Sequence, residues 1–204
     1  MARPAKFSHE AILDAARQAV LLHGKEATVG QVCELAGAPI GSVYHRFPTR
    51  DHLFVELWIR SIRRFQEGLL VAATLSDVHE ALAACALHIP RYCRDHPAEA
   101  RALTLYRWQV LVEDAPAELV EDVGHLNDAV DAASRELCRR RFGRATRRNQ
   151  EILTTAIRQA PYGLVRPYVG SDIPRWLDDA VLASSTAILA LGDRSADQAG
   201  SRPN

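Results

Sequence analysis

Apolar positions recur along this chain at helical spacing and nowhere alternate by two, so the pattern predicts helices throughout. Ser8 reads as the cap of a first helix reaching about His23, with Ile12, Ala15, Ala16, Ala19 and Val20 inward and Gly24 as its stop. A short helix over Gln31–Ala36 follows, with Val32, Leu35 and Ala36 as its apolar stripe. Gly37 provides the turn, because glycine tolerates positive φ. Pro39 opens a second short helix that buries Val43 and Phe47 and leaves Gly41, Ser42, His45 and Arg46 outside. Pro48 ends it, and Thr49 caps a long helix with Asp51 in its first turn. That helix carries Phe54, Trp58, Ser61, Phe65 and Leu69 on one face, flanked by Leu53, Leu57 and Ile62.

Residues 76–191 are expected to hold five more helical segments. The first is capped by Ser76 and Asp77, is kinked at Pro90 and ends at His96-Pro97. The second runs from Pro97 through Leu103, Tyr106 and Val110. The third opens at Pro116, and Leu119, Val123, Leu126, Val130, Ala133 and Leu137 form a seam able to face a partner helix. Gly143 breaks it. The fourth is marked by Ile152, Leu153, Ala156 and Ile157, with distortion at Pro161 and Gly163; the last opens at Pro174. The ends, Met1–Phe7 and Gly192–Asn204, read as a loose arm and a disordered tail.

Two short helices joined at a glycine, the second with small and polar residues outward, are how a helix-turn-helix reads. Its second helix enters the major groove. The run from Gly37 through Pro39, Gly41, Ser42, Tyr44, His45, Phe47 and Thr49 to Asp51 resembles the DNA-binding signature of the TetR family of bacterial transcriptional regulators, over roughly residues 8–58. The turn glycine, small pair, tyrosine, phenylalanine and following basic residue stand in the family's order. Two positions depart. Pro39 stands where the family often has a Ser or Thr cap, and Ile40 where a polar or basic residue is common.

The resemblance implies an all-α fold, with an N-terminal three-helix helix-turn-helix head and a larger C-terminal helical domain for ligand binding and dimerisation. The expected boundaries are 1–50 for the head, 51–191 for the effector and dimerisation domain, and 192–204 for the tail. Expected DNA contacts are Thr28, Tyr44 and Arg50 on phosphates, with Ser42, His45 and Arg46 in the groove beside Pro39, Ile40 and Gly41. Ile40 can meet a thymine methyl or pack on the head. Trp58, Phe65, His88, Tyr92, Tyr106, Trp108 and His125 are the expected lining of an effector cavity. The last two helices are apolar round much of their circumference, with Ala183, Ser184, Ser185 and Ala187 small, which suits a homodimer.

Composition narrows the alternatives. The chain is 48% hydrophobic and 25% charged, as expected of a globular protein, and no apolar run is long enough to cross a membrane. Without a signal-like N-terminus, and with four scattered cysteines, the expected location is the cytoplasm. Net charge is zero, yet residues 1–66 hold nine cations against six anions, a modest excess for a DNA binder. This leaves a rival reading, a protein-interaction adaptor whose helix-turn-helix no longer binds DNA.

Cys85, His88, Cys93 and His96 have a zinc-like spacing. On a straight helix, however, the two pairs stand about 12 Å apart, too far to share one ion. No metal, cofactor or catalytic residue is assigned, and with no nucleophile elbow, phosphate loop or carboxylate pair the chain does not read as an enzyme. The basic run Arg135–Arg148 reads as a solvated surface, with Glu118, Glu121 and Asp122 as possible partners.

Overall fold

The structure is a computed structural model that describes residues 7–200, with side chains to Asp193. The arm before Phe7 and residues 201–204 lie outside the described residues. Twelve helices follow in order, with no strand among the described residues: α1 His9–His23, α2 Val29–Ala36, α3 Ile40–Tyr44, α4 Arg50–Ala73, α5 Val78–Asp95, α6 Pro97–Ala102, α7 Trp108–Asp114, α8 Val120–Gly124, α9 Asp128–Phe142, α10 Arg147–Thr154, α11 Ala160–Val165 and α12 Trp176–Gly200. Contacts divide them into two units, Met1–Arg64 with His96–Leu126, and Phe65–Asp95 with Asn127–Asn204. The position expected for the head boundary, residue 50, therefore falls inside the first unit.

The first unit is built on α1. Ser8 accepts from the Ala11 N–H, as a cap should, and Gly24 ends the helix at φ +61°. Ile12, Leu13, Ala16 and Val20 meet Val29, Val32, Val43, Phe47, Phe54 and Leu57 in one buried cluster. A second cluster gathers Val55, Trp58 and Ile59 of α4 with Leu111, Leu119, Val123 and Leu126. Indole N–H groups are satisfied locally: Trp58 donates to the Leu103 carbonyl at 3.3 Å and Trp108 to that of Val123 at 2.9 Å.

Beneath α1 lies a buried carboxylate. Glu99 of α6 is only 3% exposed and accepts from Ser61 at 2.5 Å, Arg64 at 2.6 Å and Arg17 at 3.3 Å. Burial pushes its pKa up, but the hydrogen bonds from Ser61 and Arg64 and the charges of Arg64 and Arg17 outweigh it, so the group stays below the usual carboxylate range. Three helices, α1, α4 and α6, thus share one anion.

In the second unit, Leu82 and Cys85 of α5 pack with Val130, Leu137 and Cys138 of α9 and with Leu153, Ile157 and Leu189. Gly143 ends α9 in the left-handed region at φ +75°. Arg140 donates to the carbonyls of Ala73, Leu75 and Ser76, closing the exposed end of α4.

The structure corrects several sequence expectations. Leu35 is 48% exposed; α2 starts at Val29 rather than Gln31, and the face it turns to the buried cluster of α1 carries Val29 and Val32, with Cys33 and Ala36 beside them. Pro39 is the residue before α3, at φ −59° and ψ 142°, not its first turn. The helix expected from Pro97 through Val110 is broken into α6 and α7. The seam from Leu119 to Leu137 is interrupted between α8 and α9, and its halves are buried in different units, so it offers no continuous face to a partner. Asp122 pairs with Arg63, whereas the basic run finds Glu136, Glu151 and Asp193.

Upstream of Pro161 the helix widens into a π turn over Thr155–Gln159. A proline lacks the N–H that closes an α turn and crowds the preceding carbonyls, and widening relieves that crowding. Finally, α12 continues past Gly192 to Gly200, where a disordered tail was expected. Phe142 lies over Gly192, where a Cβ would stand 2.3 Å from its ring, and Arg141 grips Asp193 through two hydrogen bonds at 2.8 and 2.6 Å.

Because Glu99 is held below its ordinary pKa, its contribution to stability is complete above that ordinary value and is lost as pH falls through the folded one. Glu99→Ala is expected to cost about 2–3 kcal/mol in chemical denaturation near neutral pH, less than a fully buried pair because Arg64 remains partly exposed. Glu99→Gln is expected to flatten the acid limb of stability against pH; an unchanged acid limb would contradict the assignment.

Candidate nucleic-acid interface

The interface is set by two caps and a glycine. Thr28 accepts from the Gln31 N–H while the Gln31 side chain accepts from the Thr28 N–H, a reciprocal capping box that fixes the start of α2. Gly37 then takes φ +60° and ψ 25°, and its N–H and that of Ala38 close on α2 carbonyls. This turn swings α3 across α2. Pro39 supplies no side-chain cap, so the first turn of α3 rests on backbone bonds, with Ser42 and Val43 donating to the Pro39 carbonyl.

α3 buries Val43, and the turn beyond it buries Phe47, at 1% and 0% exposure. Everything else on that stretch faces out. Pro39, Ile40, Gly41, Tyr44 and His45 are exposed; Ser42 and Arg46 are half-buried. Arg46 turns back, donating to the Ser42 carbonyl at 3.0 Å. Thr28 is exposed too, and its hydroxyl proton is left over from the capping box. Thr28, Ser42, Tyr44 and His45 thus expose donors beside a nearly flat apolar edge.

Arg50 has a second occupation. Its guanidinium donates to the carbonyls of Lys25 and Ala27 at 2.8 and 3.0 Å, and lies over the Phe54 ring at 4.7 Å. It therefore braces the turn between α1 and α2 in addition to whatever charge it offers outward. Thr49 accepts from the His52 N–H at 3.0 Å and caps α4 as the sequence suggested. His9 and His52 both reach Glu56, while His9 stacks on Phe47 at 4.6 Å.

The expected effector residues do not form one group. Phe65, His88 and Tyr92 cluster in the second unit, with ring centroids 4.8 to 5.4 Å apart. The His88 ring meets the Phe65 carbonyl at 2.7 Å and lies where a Cβ on residue 68 would be, so Gly68 is what lets it approach. Trp58, Tyr106, Trp108 and His125 belong to the first unit, where Trp58 and Tyr106 meet edge to face at 6.4 Å. Cys85 and Cys93 are buried thiols whose pKa values burial pushes up to about 12 and about 11, which leaves them protonated at neutral pH. The sequence reading missed Glu99. A lone carboxylate among Ala98, Ala100 and Ala102 was its only trace.

The comparisons agree with this geometry. Residues 12–57 match the family model described as bacterial regulatory proteins, tetR family. No curated protein matches the chain in sequence. Among solved structures, the fatty acid degradation regulator FadR from Bacillus halodurans is 18% identical with a TM-score of 0.66, covering 89% of this chain and 98% of that one. A transcriptional regulator from Rhodococcus sp. Rha1 is 20% identical at TM-score 0.70, covering 89% and 95%. A TetR-like transcriptional regulator from Rhodococcus sp. RHA1 is 16% identical at 0.58, covering 97% and 98%. These structures show the fold, that of solved transcriptional regulators. Residues 12–57 resemble the head of that family, and the chain as a whole has the fold of those regulators.

Arg50→Ala is expected to lower unfolding free energy by about 1 kcal/mol, because two partly exposed carbonyls lose a charged donor. Arg50→Lys is expected to recover little of this, since one ammonium on a flexible stem cannot replace the fork. Thermal unfolding of the two variants beside the parent protein checks both; full stability in Arg50→Ala would remove the brace.

Proposed function

We propose that the chain is a repressor that binds a palindromic operator as a homodimer and is released by a small-molecule effector. The observation that carries the DNA contact is the outward set Ser42, Tyr44 and His45 on and beside α3, over a core closed by Val43 and Phe47. Tyr44, Arg50 and Thr28 serve the phosphates; Ser42 and His45 face base edges, and Arg46 joins them only on releasing the Ser42 carbonyl.

Pairing is supported by an apolar face in the second unit. Tyr162 and, on α12, Trp176 and Leu191 are 42%, 58% and 42% exposed, and Ala183 and Ala187 between them are exposed and small. Small side chains let a second helix approach closely. Two heads on one dimer bind tightly only when both half-sites are matched at once. An effector that changes head spacing then weakens binding by its differential affinity for the two states. Phe65, His88 and Tyr92 in the second unit are one group proposed to answer to that effector, and Trp58, Tyr106, Trp108 and His125 in the first unit are a separate candidate group.

A mobility-shift assay on the DNA flanking the gene, against random duplex, tests the reading. His45→Ala is expected to change sequence preference. Tyr44→Phe is expected to weaken operator and random DNA alike and to leave the salt slope unchanged, because the phenol carries no charge and releases no counterion. Sedimentation is expected to give a dimer. A folded protein that binds no duplex would support an adaptor instead, and a monomer that binds operator would remove the paired heads.

A further inference from the structure

We propose that Ile40 reads thymine through its 5-methyl group, so that each half-site carries a thymine against the leading edge of α3. This rests on the reading of α3 as the helix that enters the groove. Ile40 is the first residue of α3 and is 56% exposed. It stands apart from the buried cluster of the head, which takes Ala38, Val43 and Phe47 from the same stretch. Pro39 before it is exposed and has no N–H to offer, and no side chain caps the helix there. Gly41 after it is also exposed, and a Cβ built on it would meet nothing within 4 Å. The front of the helix is therefore apolar over three residues, with open space beside Ile40, and the polar side chains begin at Ser42.

A branched hydrocarbon has no donor or acceptor for a base edge. Set against guanine O6 and N7, or cytosine N4, it would displace water from those groups and return no hydrogen bond. The thymine methyl is the apolar group that the major groove offers. Selection thus works twice, by burial of the methyl and by the desolvation of any polar alternative. Ser42 and His45 remain free to read neighbouring bases by hydrogen bonding.

The test begins with the full-length protein and a pool of random duplexes, from which a bound consensus is selected. Each thymine of that consensus is then replaced singly by uracil, which removes the methyl and keeps every hydrogen-bonding atom. One position per half-site is expected to lose affinity about fourfold, the worth of one buried methyl. The same replacement is expected to leave Ile40→Ala unaffected, while Ile40→Val, still apolar and branched, keeps the sensitivity. Ile40 is exposed, so both variants are expected to fold, and their unfolding midpoints check this. If no uracil replacement weakens the parent protein, or if Ile40→Ala keeps the full methyl effect, Ile40 does not read thymine. A pool that yields no consensus overturns the operator reading and this inference together.

Discussion

The head is held in place by charge buried where water cannot help it. Glu99 sits at 3% exposure among the helices of the first unit, and its two oxygens are shared between Ser61 and Arg64 of α4 and Arg17 of α1. A carboxylate taken out of water is costly unless it is paired and hydrogen-bonded, and the geometry of such pairing is narrow. That narrowness is what makes it useful. Apolar contacts between α1 and α6, rich in alanine on both sides, would tolerate sliding by a fraction of an ångström. A carboxylate with three fixed donors does not. This one group ties α6 to α1 and α4, and α2 and α3 are joined to α1 through the apolar core they share.

Around that constraint the interface is assembled from small local devices. The Thr28–Gln31 box starts α2, Gly37 ends it, and Arg50 ties the α1–α2 turn to the base of α4. Each of them spends polar groups internally and leaves α3 to be positioned mainly by Val43 and Phe47. The proposed recognition surface is consequently short, with an apolar front and a polar rear. Arg46 is turned onto its own backbone, which leaves Tyr44, His45 and Ser42 as the outward polar groups of this stretch. The excess of positive charge in the head is small, and much of it is engaged: Arg60 with Glu10 and Asp14, Arg63 with Asp122, Arg64 with Glu99. Directed contacts, more than a broad basic field, are what this head offers to the proposed DNA partner.

The second unit uses the same chemistry for different ends. Arginines that look in sequence like a basic patch close helix ends and pair across elements, Arg140 on the carbonyls after α4 and Arg141 on Asp193. Gly68 and Gly192 make room for His88 and Phe142, both of which lie where a Cβ would otherwise stand. Val71, Leu75, Tyr162, Trp176 and Leu191 are large apolar residues of this unit that stand exposed.

Local rules were sufficient for the head. Caps at Ser8 and Thr49 and stops at Gly24, Gly37 and Pro48 are fixed by interactions within a few residues, so the sequence determined them, and helical spacing marked Val43 and Phe47 as a buried pair; the Thr28 cap was not among them, since α2 was expected from Gln31. Boundaries that depend on packing were not legible. Helical spacing carried the pattern straight through Leu103 and Leu126, but the chain bends at both places because the apolar residues on either side serve different cores. The tail behaved in the opposite way: Gly192 looked like an end, yet Phe142 and Arg141–Asp193 support a helix through it. Glu99 and Arg50 show the same division. Nothing within four residues of Glu99 names its partners, which lie 35 to 82 residues away, and Arg50, beside Asp51 and Phe54, also reaches carbonyls more than 20 residues back in the chain. Periodicity reports which face of a helix is apolar. Only the folded chain decides what that face, or a charge beside it, will meet.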